Sequence, residues 1–185
     1  MSRRRTAARR RAVFLVGFMG AGKTCVGEAL AAYLGWPFVD LDGRIEARQQ
    51  RKIADIFHAS GESEFRRLES EELQRVLGEL EASMPAVVSL GGGTFVSPAN
   101  ATSLATCGYT VFLDAPVEEL WQRAQATAGA RPLAISENHF RQLYAARRSR
   151  YMEADYCVLT GGRSVEEVAA EIATLLHSIG QGEAQ

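Results

Sequence analysis

The sequence predicts an α/β fold, a parallel sheet with helices on both faces, on the strength of three observations. Five short, apolar, β-rich segments alternate with helix-forming ones along 185 residues, and crossovers of that kind lay helices over a parallel sheet. Each of the five is a near-continuous apolar run, the pattern of strands buried on both faces. Between the first of them and the first helical segment, Gly17-Phe-Met-Gly-Ala-Gly-Lys23-Thr24 fits G-x-x-x-x-G-K-[ST], a glycine-rich strand-to-helix turn. With 46% hydrophobic residues, the chain can bury one core of ordinary size, and its length requires no second independent domain. The expected division is an arm at 1–11, a single domain at 12–178 with an insert at 41–82 and a lid at 127–136, and a frayed tail at 179–185.

The first strand is expected at 12–16. The glycines after it let the backbone wrap an anion, and the amides that open the next helix point at it. Gly20, Ala21, Gly22, Lys23, Thr24 and Cys25 are therefore candidate nucleotide-phosphate contacts, with Lys23 reaching the β- and γ-phosphates of ATP and the Thr24 hydroxyl holding Mg²⁺. A second short strand at 36–40 delivers Asp40-Leu-Asp42 to the carboxyl edge of the sheet, where ligands bind in such folds. One of these carboxylates can handle metal and the other accept a proton, although either can also cap the helix that follows.

The stretch 52–57 is helical, Ser60-Gly61 breaks it, and a charged amphipathic helix runs from about 62 to 81. Arg66 and Glu69 share one face near its start, an arginine for an anionic substrate held by a carboxylate. The third strand, 86–90, runs straight into Gly91, Gly92 and Gly93, an opening that a strand end needs only if something lies against it. Ser97-Pro98 starts a helix. The fourth strand, 109–113, is followed by a helix carrying Trp121 and Arg123, then by an exposed connection containing Gly129 and Arg131-Pro132, of the kind that serves as a lid. A helix at 137–152 carries Arg147 and Arg148, a fifth strand covers 156–159, and Ser164-Val-Glu-Glu167 caps a last helix that ends near His177.

Six of the 21 basic residues lie in the first eleven positions, which leaves 15 against 22 acidic residues, or −7, for the rest. An arginine arm without aromatics on an acidic domain reads as a solvated tail rather than a nucleic-acid contact. No run approaches 18 apolar residues, so a cytoplasmic protein without a membrane span is expected. Cys25, Cys107 and Cys157 have no metal-ligand spacing and read as reduced core thiols. His58, His139 and His177 are isolated and read as surface or satisfied positions.

The phosphate loop, Asp40-Leu-Asp42, Ile53-Ala-Asp-Ile-Phe57, Phe65-Arg66-Arg67-x-Glu69, Gly91-Gly92-Gly93, Arg131-Pro-Leu133 and Arg147 ahead of Tyr151 occur in that order. Together they resemble the shikimate kinase family across residues 13–176. The resemblance implies a three-layer P-loop kinase fold with strand order 2-3-1-4-5. It implies ATP-dependent phosphorylation of the 3-hydroxyl of shikimate, giving 3-phosphoshikimate and ADP, in aromatic amino acid biosynthesis.

By the same resemblance Asp42 binds the shikimate hydroxyls and accepts the attacking proton, while Asp40 is the Mg²⁺ partner beside Thr24. Arg66 and Arg147 hold the substrate carboxylate, Glu69 orients Arg66, Gly91, Gly92 and Gly93 line the ring, and Arg131 closes over the transferring phosphate. Arg148 is the alternative to Arg147, and Arg123 is the candidate for adenine. Cys25 departs from the Ser or Thr usual in the family, and no proline precedes Tyr151. A monomer acting on a small molecule, without nucleic acid or membrane, is expected. Two other readings compete: a same-fold kinase for another hydroxylated metabolite or a nucleoside monophosphate, and an ATP-binding regulatory module.

Overall fold

A computed structural model of the chain describes residues 12–82, 84–126 and 136–182. The arginine arm and Arg131, with most of the expected lid, lie outside the described residues. Within them, five strands form one parallel sheet: β1 (Ala12–Val16), β2 (Phe38–Asp40), β3 (Ala86–Ser89), β4 (Tyr109–Asp114) and β5 (Tyr156–Leu159). Their spatial order is β2-β3-β1-β4-β5, with every neighbouring pair parallel.

Every residue of β1, β3 and β4 is buried, so helices cover both faces of the central strands, as their unbroken apolar runs require. Seven α-helices surround the sheet among the described residues: α1 (Lys23–Leu34), α2 (Leu41–Gln49), α3 (Ile53–Ala82), α4 (Pro98–Cys107), α5 (Val117–Ala126), α6 (Glu137–Tyr151) and α7 (Val165–Gly182). Helix α1 packs on α7 and β3, α2 on α3, and α4 on β4 and α3. The core centres on Phe14, Leu15, Val87, Val88, Val111 and Phe112, none more than 1% exposed.

The chain leaves β1 toward β2 and β3 on one side and returns to β4 on the other. That reversal opens a crevice at the carboxyl ends of β1 and β3, the place where ligands bind in doubly wound sheets.

Four local expectations need correction or refinement. Strand β2 stops at Asp40, and Asp42 lies in the first turn of α2 rather than on a strand end, because Asp40 Oδ1 accepts the Gly43 amide at 2.9 Å and starts the helix there. Helix α3 is interrupted where Ser60-Gly61 predicted, at Gly61 with φ 78° and ψ 174°, a backbone that L side chains rarely adopt. Helix α7 runs through Gly182, beyond the expected end near His177 and into the span read as a frayed tail. Val168, Ala169, Ile172 and Ala173 bury its stripe, and one Gly at 180 costs only about 1 kcal/mol against Ala.

The thiols are not core residues. Cys25 and Cys157 are exposed and Cys107 is half-buried. Cys25 sits in the first turn of α1 beside the cavity described below, and Cys157 alternates with buried Val158 on the edge strand β5.

Candidate active site

The loop after β1 is shaped by glycine. At Gly20 φ is +82°, and a Cβ there would lie 2.4 Å from the Leu120 carbonyl oxygen, so no other residue fits the turn. Gly22 precedes α1 without a side-chain cap, which leaves the first amides of the helix without intrahelical partners, a ready anion site. Gly20, Gly22, Lys23, Thr24 and Cys25 border a cavity of about 360 Å³, whereas Ala21 is buried behind them. Lys23 Nζ donates to the carbonyls of Gly17 at 3.0 Å and Phe18 at 3.1 Å, so its ammonium lies across the loop. Thr24 Oγ1 donates to Asp40 Oδ2 at 2.8 Å. Asp40 thus caps α2 with one oxygen and holds Thr24 with the other.

The far side of the same cavity carries the groups expected to meet a second substrate. Asp42, Arg66, Glu69, Gly91, Gly92, Gly93 and Arg147 all border it. Although Asp42 is half-buried as a residue, its Oδ1 is enclosed and has no hydrogen-bond partner among the described residues. Burial, then the negative charge of Glu69, pushes its carboxyl up to about 6, with Lys23 pulling the other way. A Cβ on Gly91 would lie 2.4 Å from Glu69 Oε1 and 2.7 Å from Asp42 Oδ1, so the first glycine of the triplet makes room for both carboxylates.

Glu69, 1% exposed, accepts Arg66 Nη1 at 2.8 Å on one oxygen and Thr94 Oγ1 at 2.7 Å on the other. Arg147 Nη1 lies 3.4 Å from the Gly92 carbonyl, which also accepts the Tyr151 hydroxyl. Arg148 points elsewhere and pairs with Asp114 at 2.6 Å. These two arginines are adjacent in α6, where consecutive side chains diverge around the helix, so only one can enter the cavity. Arg123 is not on its wall; it pairs with Glu119 at 2.8 Å and approaches the Thr160 carbonyl.

Thr94, Tyr151 as a hydroxyl donor, and Glu62 were not singled out as site residues. Only Glu62 left a local signal, its i,i+4 spacing to Arg66.

An anion cradle and an enclosed carboxylate, facing each other across one cavity at the switch point of the sheet, define a class: a P-loop phosphotransferase that acts on an alcohol. Known proteins narrow it. The family model for shikimate kinase matches residues 19–177. The chain is 42% identical over 176 residues to a shikimate kinase of Ruegeria pomeroyi, covering 91% of this chain and 88% of that one. Over 167 residues it is also 42% identical to the Thermus thermophilus shikimate kinase, covering 89% of each.

Among solved structures, shikimate kinase from Acinetobacter baumannii in complex with shikimate superposes with a TM-score of 0.83 at 35% identity, over 91% of this chain and 93% of that one. A gluconokinase from Sinorhizobium meliloti, 18% identical with a TM-score of 0.60 over 95% and 98% of the two chains, shares the fold alone. The chain belongs to the shikimate kinase family, and it is an ATP-dependent kinase. Neither another same-fold activity nor a regulatory module accounts for that match.

Proposed function

We propose that the enzyme transfers the γ-phosphate of ATP to the 3-hydroxyl of shikimate, with Asp42 accepting the hydroxyl proton. The observation that carries this reading is the enclosed, unpartnered Oδ1 of Asp42 on the wall shared with Lys23 and Thr24. Phosphoryl transfer asks the protein for position and positive charge rather than for a covalent nucleophile. The cradle amides and Lys23 supply charge at the phosphates, Lys23 exchanging its loop carbonyls for phosphate oxygens. The Thr24 hydroxyl and Asp40, joined at 2.8 Å, are hard oxygen donors that suit Mg²⁺, an ion that takes one or two protein oxygens and completes its shell with phosphates and water. When bound, Mg²⁺ would neutralise charge on the β- and γ-phosphates. Arg66 and Arg147 hold the substrate carboxylate, Glu69 keeps Arg66 in place, and the glycine triplet leaves space for the ring.

The same proposal keeps Arg131 as the closing arginine and Arg123 as a contact for adenine. It also places a monomer in the cytoplasm; no described helix is long and apolar enough to cross a membrane. ADP release measured with shikimate, gluconate and AMP in turn tests the acceptor. Shikimate alone should support turnover, and equal turnover with either of the others would overturn the assignment.

The carboxylate clamp predicts a selective effect. Arg66→Lys and Arg147→Lys exchange a planar two-point contact for a point charge, so each should raise the shikimate KM by about tenfold while the ATP KM stays nearly constant. Arg148→Lys, whose wild-type partner is Asp114, should leave the shikimate KM within about twofold. A larger shikimate effect at Arg148 would move the clamp one residue along α6.

Acid should silence the enzyme earlier than an ordinary carboxylate would. Asp42 can accept a proton only when ionised, and its carboxyl is raised to about 6, so kcat/KM for shikimate should fall tenfold per pH unit below about 6. An acid limb near 4, the ordinary carboxylate range, would show that this group does not limit the reaction.

A further inference from the structure

The guanidinium of Arg66 is shared between two carboxylates that differ in permanence. Its Nη1 is held by the buried Glu69. Its other edge, Nε and Nη2, donates to a single oxygen, Glu62 Oε1, at 3.2 and 3.0 Å. Arg147 Nη2 lies 3.8 Å from that same oxygen. One carboxylate oxygen of the chain itself therefore sits among three nitrogens of the two arginines assigned to the substrate's carboxylate.

We propose that Glu62 is an internal competitor for the substrate carboxylate, occupying the Arg66–Arg147 clamp in the empty enzyme and giving way when a charged ligand enters. The proposal rests on the reading of those arginines as the carboxylate clamp. Glu62 offsets two guanidinium groups that are both less than a third exposed, which limits the cost of holding like charges there.

Glu62 can leave because it is 49% exposed and regains water when it does. It also follows Gly61, whose φ of 78° breaks α3 and which has no atom within 4 Å of an added Cβ. Arg66 stays in place meanwhile, because Glu69, itself fixed by the Thr94 hydroxyl, holds it from the buried side. A neutral polyol has nothing to exchange for the Glu62 contact, so the competitor selects for anionic ligands at some expense in affinity.

Calorimetric binding of shikimate and of its uncharged methyl ester to the full chain tests this, in wild type, Glu62→Gln, Glu62→Asp and Arg66→Lys. Glu62→Gln should tighten shikimate about two- to fivefold, the range for a half-exposed ion pair, and leave the ester within about twofold. The shikimate KM should fall in parallel, with the effect on KM rather than kcat. Glu62→Asp keeps the charge but withdraws it by one methylene, and should tighten shikimate in the same direction.

Unchanged or weaker shikimate binding in Glu62→Gln would overturn the proposal, as would equal tightening of both ligands. Tightening confined to Glu62→Gln, with Glu62→Asp like wild type, would mean a long-range charge effect instead of occupancy and would also overturn it. Arg66→Lys separates the two levels. If it fails to weaken shikimate, the clamp reading itself is wrong; if it weakens shikimate while Glu62→Gln does not tighten it, only the competitor is wrong.

Discussion

Asp42→Asn is expected to lower kcat by about 10²-fold or more while ATP affinity stays close to normal, because the amide keeps the shape of the side chain and cannot take a proton. Stability should move in the opposite direction. Burial pushes the Asp42 carboxyl up to about 6 in the folded chain, against 3.8 for the free side chain. Above pH 6 the folded chain therefore holds an ionised carboxylate in a less favourable setting than the unfolded chain does, a cost that shrinks as pH falls from about 6 toward 3.8 and is gone below that. A neutral Asn avoids that cost at every pH. The gain is on the order of 1–2 kcal/mol after allowing for the half-exposed setting of the residue, enough to raise Tm by a few degrees in a chain of this size. Steady-state kinetics and thermal unfolding of one variant at pH 7.5 measure both. If instead Asp40→Asn is the crippling change and Asp42→Asn is mild, the two carboxylates have exchanged roles.

Lys23→Ala should cost at least as much turnover, about 10²- to 10³-fold, with a smaller loss in ATP affinity. The ammonium donates to the Gly17 and Phe18 carbonyls, a half-buried position from which it can turn to phosphate oxygens as charge develops on them. An interaction stronger in the transition state than in the bound nucleotide appears in kcat more than in binding. The loop should survive the change, since Gly20, Gly22 and the buried Ala21 set its path rather than Lys23. Circular dichroism and Tm close to wild type, with turnover nearly abolished, are the expected results. Near-normal turnover would remove the phosphate-loop assignment.

The sequence by itself determined what depends on neighbours along the chain. G-x-x-x-x-G-K-T between a strand and a helix is a complete local instruction, so the cradle was legible down to single residues. The apolar runs of β1, β3 and β4 demanded a sheet covered on both faces at its centre, whereas β2 and β5 at the edges are only partly covered; Ser60-Gly61 marked the break in α3, and a spacing of three put Arg66 and Glu69 on one helical face, where they pair at 2.8 Å. The strand order was legible only through resemblance, because which strands become neighbours depends on how the crossovers pack.

Tertiary structure alone decided how the paired carboxylates and the paired arginines differ in their surroundings. Asp40 and Asp42 look equivalent in sequence. They differ because Asp40 spends its oxygens on Thr24 and the Gly43 amide, while Asp42 turns inward toward Gly91 and Glu69, residues 49 and 27 positions away. Arg147 and Arg148 could not be told apart along the chain either, since the choice depends on which side of α6 meets the glycine triplet and which meets Asp114. Cysteine exposure and the contact of Glu62 with the clamp belong to the same class. Burial, desolvation and charge pairing arise from residues far apart in sequence, and they exist only once the chain has folded.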